Sequence, residues 1–91
     1  MRKYRAFVKA YLAKRLLATR KELKLTQEKM SESLRMSVRS YTEIERGRSG
    51  FSATTLLFFL SGLPEEQALD VIRGFREGVE AEESREDPES A

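Results

Sequence analysis

The sequence predicts an all-α fold of about five helices. Neither glycine nor proline occurs between Arg2 and Arg46, so nothing there forbids helix. Apolar residues recur at steps of three and four instead of alternating, and Ser, Thr and Gly sit where helices would begin and end. No strand alternation, internal repeat or low-complexity block is evident.

The first helix carries Tyr4, Phe7, Val8, Tyr11, Leu12, Leu16 and Leu23 as one stripe. Its end is expected near Lys21 to Lys24, where basic side chains suit the carbonyl terminus. Thr26 caps a second helix at about 27–34, with Glu28 in its first turn and Met30 and Leu34 facing inward. Ser37 caps a third at about 38–46, in which Val38, Tyr41 and Ile44 follow at three-residue steps. Gly47 is expected to be the left-handed residue after its end.

Ser52 caps a fourth segment, Ala53 to Ser61, whose run from Leu56 to Leu60 is apolar almost all round. Such a segment is either largely buried or turned towards a partner. Gly62 stops it. Pro64, Glu65 and Glu66 open a fifth helix at about 64–81, with Leu69, Ile72, Phe75 and Val79 as its stripe. Gly74 and Gly78 lower its intrinsic stability by roughly 1 kcal/mol each. Residues 82–91 lose their apolar members and read as a disordered acidic tail, leaving residues 1–81 as one domain.

Composition narrows the function. The 91 residues contain no cysteine and no histidine, which excludes disulfides and thiolates and removes the commonest general base and metal ligand. An enzyme, a metal site and a cofactor are therefore not expected, and no small-molecule ligand is evident. No apolar run approaches the roughly 18 residues of a membrane span. Lys9, Lys14 and Arg15 interrupt anything resembling a signal peptide, so the expected compartment is the cytoplasm.

The net charge of +2 hides a split. Residues 1–50 hold 14 of the 17 basic and 5 of the 15 acidic residues, whereas residues 51–91 hold 3 and 10. That split fits a basic surface for a polyanion beside an acidic tail, or simply a helix with a solvated basic face.

The informative stretch runs from Leu25 to Gly47. Two short capped helices are joined there by a turn at Leu34 to Met36, a spacing that makes them cross steeply as a helix-turn-helix. The second of the pair presents Val38, Arg39, Thr42, Glu43 and Arg46 on the side away from Tyr41 and Ile44. Helices of this kind enter the major groove of DNA with their N-terminal residues first.

With Leu25-Thr26-Gln27-Glu28 entering the first motif helix and Ile44-Glu45-Arg46-Gly47 closing the second, the sequence resembles the Xre/Cro-type helix-turn-helix regulators, which include the phage repressors. The resemblance covers about residues 12 to 62 and implies a lambda-repressor-like domain, here with an extended first helix. It places Gln27 on a backbone phosphate, where the plainer reading is a polar first-turn residue. It places Val38, Arg39 and Glu43 where base edges are read, with Ser37, Ser40 and Thr42 beside bases or backbone. Arg46 and Arg48 correspond to phosphate contacts, or else serve solubility.

Arg39 fits a bidentate contact to guanine, or a solvated arginine; Val38 fits a thymine methyl, or packs under the turn. Glu43 would be repelled by phosphates unless it accepts from a cytosine amine or pairs with Arg39. Arg20 and Glu45 match an internal salt bridge between the first and third helices. The chain departs from the family at Lys24 and Arg35, where glycine is usual, at Thr19, where leucine or isoleucine is, and at Phe51, where proline is. Arg35 must then turn left-handed or alter the turn.

These readings imply a sequence-specific regulator of double-stranded DNA, repressor-like and dimeric on a two-fold operator. The expected dimer surface is the fifth helix with the exposed side of Phe58 and Phe59, unless that helix packs onto the first. The alternative is a protein-interaction module, such as an antitoxin or anti-repressor, on the same fold.

Overall fold

The computed structural model describes residues 2–86, with the side chains of residues 4–85. Five α-helices follow in order: α1 (Arg2–Glu22), α2 (Gln27–Ser33), α3 (Val38–Glu45), α4 (Ala53–Ser61) and α5 (Glu65–Glu86). No strand occurs among the described residues.

Each short helix starts at its expected cap. Thr26 accepts from the Lys29 amide, Ser37 from that of Ser40 and Ser52 from that of Thr55. α2 and α3 each stop one residue earlier than the spacing suggested, with Leu34 and Arg46 as their C-caps.

The ends of α1, α2 and α3 share one construction. Leu25 N–H bonds Arg20 O at 2.9 Å and Lys24 N–H bonds Lys21 O at 3.1 Å, the paired bonds of a Schellman motif. Met36 to Ser31 with Arg35 to Glu32 repeats it, and Arg48 to Glu43 with Gly47 to Ile44 repeats it again. The residue at the bend has positive φ each time: 58° at Lys24, 58° at Arg35 and 78° at Gly47. Arg35 thus keeps the turn by turning left-handed. Its guanidinium lies 4.4 Å from the Phe58 ring centroid, and Nη1 donates to Ser33 O at 2.7 Å.

Leu16, Met30, Leu34, Tyr41, Ile44, Phe59 and Val71 form the core. Phe59 is therefore inside and not on an outer face, and Phe58 is half-buried beneath Arg35. Leu23, expected in the buried stripe of α1, is 50% exposed at the C-terminal end of that helix, where its amide still bonds Thr19 O.

The fifth helix packs on α1 within the chain. Phe7, Tyr11 and Phe75 cluster with ring centroids 5.7 to 6.0 Å apart, and Tyr11 Oη donates to Val71 O at 2.5 Å. Arg15 bridges to Asp70 at 2.7 Å and holds that carboxyl below its ordinary range. Gly74 and Gly78 make this approach possible: a β-carbon there would lie 2.6 Å from Tyr11 Oη and 2.5 Å from Phe7 Cζ. α5 also runs to Glu86, so residues 82–86 are helix where a tail was expected. Tyr4 hydrogen-bonds to Glu83 and Arg85 pairs with Glu82, contacts that hold this last turn. The expected tail residues 87–91 lie outside the described residues.

Candidate nucleic-acid interface

Tyr41 and Ile44 are buried at 0% and 5% exposure, and this fixes which side of α3 faces outward. Val38, Arg39, Thr42, Glu43 and Arg46 share the opposite side, at steps that keep them on one helical face. Val38 is 39% exposed and does not pack under the turn. Arg39 and Arg46 are exposed, and neither has an ion pair or side-chain hydrogen bond among the described residues.

The remaining expected residues have partners that limit what they can offer. Ser37 Oγ accepts from Ser40 N and donates to Ser40 Oγ, both at 3.1 Å, and so caps α3. Thr42 Oγ1 donates to Val38 O at 2.8 Å. Glu43 pairs with Arg48 at 3.5 Å, and not with Arg39, which was one of the two roles the sequence left open for it. The bend after α3 bonds Arg48 N to Glu43 O at 2.9 Å and so sets the two residues side by side, although Arg39, one turn before Glu43, also has the spacing of a pair. The pair is 37% and 64% exposed at Glu43 and Arg48, so water screens it and it holds neither partner firmly.

Behind this face lies a polar network centred on Glu45. Arg20 grips the carboxylate with Nε at 2.8 Å and Nη2 at 3.2 Å. The Tyr41 hydroxyl donates to it, and Gln27 Nε2 donates at 2.7 Å. Gln27 Oε1 lies 3.5 Å from Thr42 Oγ1, a close approach and not a second bond, because the hydroxyl proton of Thr42 goes to Val38 O. Burial pushes the Glu45 carboxyl up, but the bonds from Arg20, Tyr41 and Gln27 outweigh it and hold the group below its ordinary value of 4.5. Burial and then the bond to Glu45 push the Tyr41 hydroxyl up.

The expected salt bridge between Arg20 and Glu45 is therefore present, and it is larger than a pair. Its link to Gln27 joins α2 to α1 and α3, and sequence spacing carried no signal for it. Phe51 was likewise unforeseen as a packing residue; its ring meets Phe59 edge-on at 6.2 Å.

No cluster of acidic side chains that could hold a metal occurs among the described residues, and no helix there is long and apolar enough to cross a membrane. A family model described as a helix-turn-helix domain matches residues 13–66, from the middle of α1 to the first turn of α5. Neither the curated proteins nor the solved structures include a match to the chain.

Proposed function

The chain belongs to the helix-turn-helix domain family, and on that premise we propose that it is a sequence-specific, double-stranded-DNA-binding transcriptional regulator of the cytoplasm. It acts as a repressor by occupying an operator. The observation that carries this reading is the outward row on α3, where Val38 and Arg39 stand at the amino end of the helix without an intramolecular claim on the arginine.

Arg39 reads guanine and Val38 meets a thymine methyl, each good contact contributing about 1–3 kcal/mol of discrimination. Arg46 and Arg48 neutralise phosphates, the latter by exchanging Glu43 for a stronger field. Gln27 is presented by the Glu45 network and keeps one further amide N–H for a phosphate oxygen, and Thr42 stands beside it with its hydroxyl bonded to Val38 O. Ser40 flanks the row. Glu43 accepts from a cytosine amine once Arg48 has moved.

One such helix covers only a few base pairs, so useful specificity calls for two copies on a two-fold site. With the inner face of α5 spent on α1, the second copy docks on the outer surface shared by α4 and α5. Leu57, Leu69 and Ile72 are 66%, 55% and 46% exposed there. Residues 2–86 form the working domain.

Selection of bound fragments from random duplex DNA tests the reading. A recurrent two-fold sequence is expected, and Arg39→Ala should lose about 1–3 kcal/mol and relax preference at one position of each half-site. Absence of duplex retention even at low salt, with tight capture of a protein in its place, would overturn it in favour of an interaction module.

A further inference from the structure

We propose that the N-terminal extension of α1 is a second DNA contact, in which Arg5 and Lys9 grip the phosphate backbone beside the α3–α4 loop. This rests on the chain being a duplex binder, and it adds to the α3 interface a grip that the family match, beginning at residue 13, does not contain.

Arg5, Lys9, Leu12 and Leu16 lie at steps of four, three and four, so they form one row along a single side of α1. Where that row faces the core it is leucine, with Leu12 6% and Leu16 0% exposed. Where the helix emerges past the α3–α4 loop, the same row becomes cationic. A helix end built only to receive α5 would not require this, since the α5 contact runs through Tyr4, Phe7 and Tyr11 on the adjoining side.

The two cations are brought to the loop itself. Lys9 Cγ lies 3.5 Å from where a β-carbon on Gly50 would stand, so the lysine stem crosses the Gly50 backbone. An open groove of about 560 Å³ runs there, lined by Tyr4, Arg5, Val8, Lys9, Gly50 and Phe51. Such a stem packs along the surface and leaves its ammonium in water. Gly50 follows Arg48 by two residues, so Arg5 and Lys9 extend the basic loop that carries Arg46 and Arg48.

Charge identifies the occupant. Arg15, Arg20, Lys29, Arg48 and Arg85 each have a carboxylate partner. Arg5 and Lys9 have none among the described residues. Glu83 is held by Tyr4 on the α5 side of the helix. A row of unpaired cations adjoining the proposed phosphate contacts is complementary to the continuing sugar-phosphate backbone, which it would meet without reading bases.

The test measures affinity for the selected duplex against salt, using the full chain and the double variant Arg5→Gln/Lys9→Gln. Each phosphate contact adds about 0.9 to the slope of log affinity on log salt, so the slope should fall by about 2. The preferred sequence should be unchanged, and the hydroxyl-radical footprint should contract at its outer edge. Arg5→Lys/Lys9→Arg should restore the slope, which a loss of packing alone would not allow. If the double variant does not fold, Arg5→Gln alone, at an exposed position, should lower the slope by about 1. An unchanged slope and footprint in a folded variant would overturn the extension as a contact while leaving the α3 reading intact. A wild-type chain that binds no duplex overturns both.

Discussion

Gln27 Nε2 donates to Glu45 Oε1 at 2.7 Å, tying the first residue of α2 to the last residue of α3. The same carboxylate takes both near-parallel donors of Arg20 and the hydroxyl of Tyr41. A single ionised group therefore ties the two motif helices together, beside the core packing of Met30 and Leu34 on Tyr41 and Ile44. Its side chain is only 8% exposed, so water cannot replace a lost partner at no cost.

The first prediction follows from that group's titration. Its folded pKa lies below 4.5, so it adds stability that is fully present above the unfolded value and is lost as pH falls through the folded one. Urea unfolding from neutral pH downward should show stability dropping below about pH 4.5. Glu45→Gln should lose about 2 kcal/mol at neutral pH, from the uncompensated Arg20, and should flatten the acid limb. An acid limb of unchanged steepness in that variant would remove Glu45 as its source.

A second prediction concerns the α1–α5 seam. Gly74→Ala should gain about 1 kcal/mol of helix propensity. In the wild-type background the new β-carbon would stand 2.6 Å from Tyr11 Oη, whose hydroxyl is held on Val71 O. Displacing the ring and its bond costs more than the gain, so the net effect should be a loss of about 1 kcal/mol. Tyr11→Phe removes the colliding oxygen and leaves Cζ at an ordinary 3.5 Å. In that background Gly74→Ala should stabilise. A thermal-unfolding double-mutant cycle reads the change of sign, and equal effects in both backgrounds would refute the steric account.

Much of this architecture was legible in the sequence because it is written in local chemistry. Thr26, Ser37 and Ser52 each satisfy amides three residues on, and Gly47 supplies the positive φ that ends α3. The outward side of α3 followed from the inward spacing of Tyr41 and Ile44. What escaped the sequence is set by distant partners. Residues 82–86 are polar enough to read as tail, yet α1 is long enough to give Glu83 a partner in Tyr4, 79 residues away. Glu43 lay beside Arg39 in the pattern, but loop geometry gave it Arg48. The glycines of α5 read as weaknesses, and only the rings opposite explain them.

The left-handed positions give a third prediction. A residue with a β-carbon pays about 1–2 kcal/mol there, while glycine loses about 0.5–1 kcal/mol through unfolded-state entropy. Lys24 is exposed and has no ion pair or side-chain hydrogen bond among the described residues. Lys24→Gly should therefore stabilise by about 0.5–1 kcal/mol. Arg35→Gly has the same backbone benefit but forfeits the contact over Phe58 and the bond to Ser33 O. Its net change should lie within about 0.5 kcal/mol of zero. Urea titrations of both variants decide it, and equal gains would show that the Arg35 side chain adds nothing.

The fourth prediction concerns association. Leu56, Leu60, Ile72 and Phe75, with Val8, Tyr11 and Leu12, line an apolar groove of about 170 Å³ where α1, α4 and α5 meet, and Leu57 is 66% exposed on α4. Apolar side chains gathered in this way are costly to leave in water, and a second copy brings the same patch to meet them. Sedimentation should give a two-chain mass. Ile72→Glu should return a folded monomer, because the new carboxylate stays solvated in the single chain but would be buried in the pair. Leu57→Glu should do likewise from the α4 side. Each variant should weaken occupancy of the full two-fold site by tenfold or more, about 1.4 kcal/mol, while leaving half-site preference unchanged. A wild-type chain that stays monomeric, both free and on the duplex, would rule this face out as the dimer contact.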